Sequence, residues 1–176
     1  MICQTEVWPT LTYNELIYKE SKSRRITLSY NDLRKGRYSQ HQGEYFITTV
    51  VAQRQPIFSD FGLARCFIND LAHSQASEQG EWLAWVLMPD HFHGLVRLQN
   101  DTLPMLIKTL KGRSAKHIND YRQSRGVSVW QSNFYDRALR VEEDRVAIAR
   151  YIVANPLRAG LVQHLADYPH WDSVYL

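Results

Sequence analysis

Two apolar runs, Trp82-Leu83-Ala84-Trp85-Val86-Leu87-Met88 and His91-Phe92-His93-Gly94-Leu95-Val96-Arg97-Leu98, are separated only by Pro89-Asp90. Pro89-Asp90 turns the chain, which makes the two runs partners in an antiparallel hairpin. Side chains alternate across a strand, so His91 and His93 share one face while Phe92 enters the opposite layer. Two imidazoles on one face, two residues apart, can hold a divalent ion together. The same pattern also suits two ordinary strand residues, and the pair gains meaning only from its surroundings.

The rest of the chain supplies a frame for that hairpin. Tyr45-Phe46-Ile47-Thr48-Thr49-Val50-Val51 is rich in β-branched and aromatic residues and reads as the first strand. Gln53 to Ser59, with Pro56, reads as a loop. Phe61 to about Ser77 carries Leu63, Ala64, Phe67, Ile68, Leu71 and Ala72 at helical spacing, closed by Gln79-Gly80. A second helix is expected over Leu103–Tyr121, with Leu103, Leu106, Ile107, Leu110, Ile118 and Tyr121 on one side. Lys108, Lys111, Lys116 and Arg122 fall mostly on the other. Val127 to Leu139 reads as a last strand with an irregular start. A final helix begins near Glu142, where Glu143 and Asp144 suit the positive end of a helix dipole, and Pro156 ends it. The order β-α-β-β-α-β plus a helix predicts an α+β fold, a ferredoxin-like or RRM-like antiparallel sheet with an added C-terminal helix. That architecture carries many functions, including RNA binding, so it decides nothing about activity.

At 176 residues, 44% hydrophobic and 22% charged, the chain is long and apolar enough for one domain with a real core. That domain is expected over residues 38–176. Residues 1–37 read as a basic N-terminal arm with Lys19, Lys22, Arg24, Arg25, Arg34, Lys35 and Arg37, either solvated or lying on phosphates. A net charge of +3 permits a polyanionic partner without demanding one. Cys3 and Cys66 form no disulfide framework, which fits a reducing compartment. No secretory leader is read at Met1-Ile2-Cys3-Gln4-Thr5-Glu6, and no apolar run reaches the ~18 residues of a membrane span. A cytoplasmic protein is expected.

The final helix brings the second half of the chemistry. Tyr151 and Asn155 are four residues apart and share a helix face, with Asp144 two turns earlier on roughly the same side. Ile148 and Ile152 can anchor the helix to the sheet. A phenol and an amide oxygen brought against two imidazoles make a site for phosphoryl transfer. The His pair and the Asn oxygen would hold a metal with positions left for a phosphate oxygen, and the Tyr oxygen would attack phosphorus. A neutral phenol, pKa about 10, is a poor nucleophile, so it needs a polarised phosphate and help in losing its proton. Tyr151 can equally be a half-buried packing residue, and Asn155 before Pro156 can serve only the helix end.

Several stretches, in this order, resemble one family. They are Leu33-Arg34-Lys35-Gly36-Arg37, Tyr45-Phe46-Ile47-Thr48-Thr49-Val50, Met88-Pro89-Asp90-His91-Phe92-His93-Gly94-Leu95-Val96 and Lys111-Gly112-Arg113-Ser114-Ala115. Val129-Trp130-Gln131 through Phe134-Tyr135-Asp136 follows, and then Tyr151-Ile152-Val153-Ala154-Asn155-Pro156-Leu157-Arg158-Ala159-Gly160-Leu161-Val162. Together they resemble the REP-associated tyrosine transposases, relatives of the single-tyrosine transposases of IS200/IS605 elements within the HUH nuclease superfamily. The resemblance implies that His91 and His93 are metal ligands, Asn155 the third ligand and Tyr151 the nucleophile. Arg137 stands where many relatives would carry histidine. Tyr135 matches an aromatic packing position.

The implied activity is cleavage and joining of single-stranded DNA with Mg²⁺ or Mn²⁺, through a 5′-phosphotyrosine and a free 3′-OH. The implied partner is hairpin DNA of repetitive extragenic palindromes. Candidate DNA contacts are Arg34, Lys35, Arg37, Lys108, Lys111, Arg113 and Lys116, each of which can also be a solvated charge. Gly112 in mid-helix suggests the close approach of a backbone. A monomer is expected, with a dimer exchanging the tyrosine helix as the alternative. Two rivals are a structured nucleic-acid-binding protein without catalysis and a hydrolase that activates water at His91 and His93.

Overall fold

The computed structural model describes residues 39–176. The expected arm over residues 1–37, with Arg34, Lys35 and Arg37, lies outside the described residues. Ser39–Leu176 is one unit.

The aromatic and β-branched run forms β1, Glu44–Val50. A loop with two short 3₁₀ turns leads to α1, Phe61–Ala76, where Asp60 caps the first turn by accepting from the Leu63 amide at 3.0 Å. The strands β2, Gly80–Met88, and β3, His91–Leu98, are the expected hairpin. Helix α2, Leu103–Tyr121, has the predicted bounds, and β4, Tyr135–Ala138, closes the repeat of strands and helices. A helix α3, Arg145–Val153, follows, then a single turn α4, Asn155–Arg158, and a short strand β5, Trp171–Ser173.

The sheet order is β4-β1-β3-β2-β5, antiparallel throughout. This is the split β-α-β arrangement with one extra edge strand, an α+β fold. Helices α1 and α2 cover one face. There Leu63, Phe67, Leu71, Leu106, Ile107, Leu110 and Ile118 pack on Ile47, Trp82, Phe92 and Val96. Two tryptophans in this core find partners on the helices: Trp82 Nε1 donates to Ser74 Oγ at 2.9 Å and Trp130 Nε1 to Ser114 Oγ at 3.0 Å. The opposite face is covered by α3, whose Ala149 and Ile152 pack on Phe46, Leu83, Val86, Met88 and Leu95. The unit Ser39–Leu176 is therefore layered helix, sheet, helix, and the two sides of β3 read into different cores.

Four expectations are corrected. Only Tyr135–Ala138 of the expected strand over Val127–Leu139 is a strand, with Trp130 making an isolated bridge to Val51. Val129 and Gln131 still pair with Ala52 and Val50, but Lys111 takes the carbonyls of Gln131, Ser132 and Asn133, which therefore do not continue the ladder toward Tyr135. The final helix starts at Arg145, with Asp144 as its cap accepting from the Ala147 amide at 3.0 Å. Its end comes at Ala154, before Pro156, which sits in the first turn of α4. Tyr121 is 58% exposed and not part of the apolar side of α2.

Candidate active site

β3 is the central strand, so both neighbours fix the position of its histidines. His93 stands opposite Thr48 of β1 and Val86 of β2, and His91 opposite Val50 and Met88. Both imidazoles lie on the α3 side, with ring centroids 4.7 Å apart and planes at 80°. Phe92 between them is fully buried in the α1/α2 core.

Each imidazole has one nitrogen committed. His91 Nδ1 is 2.5 Å from Asp90 Oδ1, and His93 Nδ1 is 2.7 Å from Thr48 Oγ1. The Asp90 carboxyl also takes Arg54 Nη1 at 3.1 Å. Burial pushes the Asp90 pKa up, but His91 and Arg54 outweigh it and hold the carboxyl below its usual range. His93 is pushed down to about 3, first by burial, then by the charges of His91 and Arg158. It is therefore neutral at physiological pH, the form in which imidazole binds a metal. Ring-nitrogen contacts to a carboxylate and a hydroxyl are the usual supports of ligating histidines, and they leave Nε2 of each ring as the ligating atom. The residues thus fit a divalent ion. Among the described residues no group of three His, Cys, Asp or Glu side chains could complete the site, so a third protein ligand must be of another kind, such as an amide.

Helix α3 is set on this face by packing and charge. Glu44 accepts from Arg145 Nε at 2.8 Å and from Arg97 Nη2 at 2.8 Å. Burial works against the Glu44 charge, but these two guanidinium groups hold its carboxyl below the usual value. From that anchor the buried Ala149 and Ile152 seat the helix, leaving Tyr151 half-buried beside them. Arg158 Cζ lies 4.0 Å from the centroid of the Tyr151 ring, and its Nη2 donates to the Tyr151 carbonyl at 2.8 Å. Asn155 donates its amide nitrogen to the carbonyl of Ile152 at 2.7 Å and of Tyr151 at 3.4 Å. Those bonds satisfy the end of α3 and leave Oδ1 as the atom suited to a cation.

The basic residues on α2 are placed differently. That helix lies across the sheet from the His pair. Lys111 is spent on the Gln131–Asn133 carbonyls, and Arg113 Nε meets buried Asp70 at 3.3 Å together with His117. Lys116 pairs with Asp120 four residues on, at 2.8 Å, and Lys108 is exposed. An added Cβ at Gly112 would meet nothing within 4 Å, so among the described residues nothing requires that glycine.

Sequence reasoning did not single out Thr48 or Arg158. Thr48 follows only from the β1–β3 register, which a single sequence does not carry. Arg158 had a signal, since seven residues is two helical turns from Tyr151.

The family described as "Transposase IS200 like" matches residues 39–155. A REP-associated tyrosine transposase of Escherichia coli K12 is 26% identical over 136 residues, covering 76% of this chain and 78% of that protein. A Haemophilus influenzae protein, named as a candidate of the same class, is 28% identical over 142 residues, covering 73% and 78%. A solved structure of a REP-associated tyrosine transposase bound to a REP hairpin superposes with a TM-score of 0.59 at 23% identity, covering 76% of this chain and 78% of that one. At that identity the likeness concerns the fold.

Proposed function

The chain belongs to the IS200-like transposase family, a family of DNA-processing enzymes, and from that premise we propose that it cuts and rejoins single-stranded DNA through Tyr151. The observation that carries the reading is the juxtaposition on one sheet face. His91 and His93 each have Nδ1 tied and Nε2 left for a ligand, and the helix bearing Tyr151 is packed on that same face.

In this reading His91 and His93, with Asn155 Oδ1, would hold Mg²⁺ or Mn²⁺, which when bound polarises the scissile phosphate. Asp90 and Thr48 keep the two imidazoles in the orientation and tautomer that a ligand needs. Tyr151 Oη forms a bond to phosphorus as the bond to the 3′-oxygen breaks, and that oxygen leaves with the electron pair and takes a proton. The phenol proton is lost to solvent. The product is a 5′-phosphotyrosine beside a free 3′-OH, and the phosphodiester energy is kept for rejoining.

The substrate proposed is the hairpin DNA of repetitive extragenic palindromes, as in the solved relative, gripped by backbone phosphates and read at unpaired bases. Exposed Lys108 is the best-placed phosphate contact on α2, since Lys111, Arg113 and Lys116 already have partners. The oligomeric state proposed is a monomer, with a pair exchanging the tyrosine helix as the alternative.

End-labelled hairpin DNA from the host's repeats, incubated with wild type and Tyr151→Phe in Mn²⁺ or EDTA and run on a denaturing gel, tests this directly. A covalent adduct is expected in wild type with Mn²⁺ alone. Full cleavage by Tyr151→Phe would sink the mechanism, and tight binding with neither adduct nor cleavage would leave a hairpin-binding protein.

A further inference from the structure

Arg158 lies three residues past the span that the family matches, at the end of the single turn α4. The break at Ala154 re-aims the chain there, so a side chain seven positions after Tyr151 reaches back to that residue's own carbonyl. Its guanidinium lies over the phenol ring, with Cζ 4.0 Å from the centroid. The side chain is exposed, and both of its recorded contacts are with Tyr151, one to the ring and one to the carbonyl. Among the described residues no carboxylate neutralises it. A guanidinium has five N–H donors in a planar fork, and the Tyr151 carbonyl takes one.

We propose that Arg158 is a catalytic residue of this site, holding the Tyr151 ring with its flat face and binding a non-bridging oxygen of the scissile phosphate with its remaining N–H donors. The proposal rests on Tyr151 as nucleophile. As Oη bonds to phosphorus and the 3′-oxygen departs with the electron pair and a proton, the non-bridging oxygens carry the charge, and a planar fork suits two of them. The phosphate then remains attached to the ring that Arg158 covers, so the same contact serves rejoining, when a 3′-OH attacks and Oη leaves. The ring stack fixes the direction of Oη before DNA arrives, which removes a rotation from the reacting complex.

Single-turnover adduct formation separates this from a structural role. Wild type, Arg158→Ala, Arg158→Lys and Tyr151→Phe are compared on hairpin DNA whose scissile phosphate is natural or is an uncharged methylphosphonate. Arg158→Ala is expected to be slower by about 100-fold on natural DNA, the loss typical of removing one oxyanion donor, with hairpin affinity falling far less than the rate. Arg158→Lys keeps the charge without the fork and falls between. On methylphosphonate, which is uncharged and offers one non-bridging oxygen where the fork would take two, the gap between wild type and Arg158→Ala should largely close.

Equal rates for wild type and Arg158→Ala on natural DNA overturn the proposal while keeping Tyr151 as nucleophile. So does an equal loss on both DNAs, which marks a merely structural arginine. Absence of adduct in wild type on natural DNA removes the nucleophile reading and this proposal together. Should Arg158→Ala unfold, Arg158→Lys on the two DNAs carries the same comparison.

Discussion

Thr48 shows how one hydroxyl can matter twice. It is the partner of His93 Nδ1 inside a buried layer. Thr48→Val keeps the shape and strands that nitrogen, which costs about 1–3 kcal/mol for an unsatisfied buried group. If His93 is a ligand, loss of its support should also weaken Mn²⁺ binding by about 10- to 100-fold, measured by calorimetry. A lower melting temperature with unchanged Mn²⁺ affinity would leave Thr48 a purely structural partner. Gly112 behaves oppositely. It is exposed in the interior of α2 with open space where a Cβ would stand, so Gly112→Ala should stabilise the free protein by about 1 kcal/mol in urea unfolding. A loss of hairpin affinity in that more stable variant would mean that a nucleic-acid backbone comes close there, as the sequence suggested.

At the scale of elements, α2 separates two kinds of lysine that periodicity alone treats alike. Lys111 holds three successive carbonyls and loses water doing so, which pushes its pKa down. Lys108 stands in solvent. Lys111→Met should lower the melting temperature and speed amide exchange over Gln131–Asn133, because the element that folds this backbone is gone. The salt dependence of hairpin binding should be unchanged. Lys108→Ala should do the reverse: no change in melting, and a slope of log affinity against log salt reduced by about one unit. A reduced slope for Lys111→Met would instead make it a phosphate ligand. The helix α3 depends in the same way on something outside itself, the Glu44 carboxylate shared by Arg97 and Arg145.

For the molecule as a whole, the burial of His93 ties folding to pH. Its folded-state pKa of about 3 lies below the unfolded value of about 6.5. Between those two values the unfolded chain binds a proton that the folded chain refuses. Stability is therefore full above the unfolded value, falls as pH drops, and suffers no further loss from this group below pH 3. In metal-free buffer with EDTA, acidification from pH 7 to pH 5 should remove about 2 kcal/mol of His93-dependent stability. Urea unfolding of wild type and His93→Gln checks this: the variant should lose less over the same window, and parallel losses would contradict a buried neutral imidazole. A second expectation at this scale is a monomer by light scattering, and a dimer would point to exchange of the tyrosine helix.

The sequence by itself determined the elements whose patterning is local. The hairpin about Pro89-Asp90, the apolar stripes of α1 and α2 and the shared face of His91 and His93 are all consequences of periods of 2 and 3.6, and the structure has them at the expected places except for Ala72 and Tyr121, which are exposed. The α+β order followed from these, and motif order carried the family. Only the tertiary structure decided which strand neighbours β3, and hence that Thr48 supports His93. It alone decided that Lys111 would take the carbonyls of Gln131–Asn133 within an expected strand, and that Trp171–Ser173, too short for any period, would become an edge strand. It also decided that α3 shares a face with the histidines while α2 does not. Those outcomes depend on contacts between residues far apart in the chain, where register and layer are set by mutual packing and no local pattern records them.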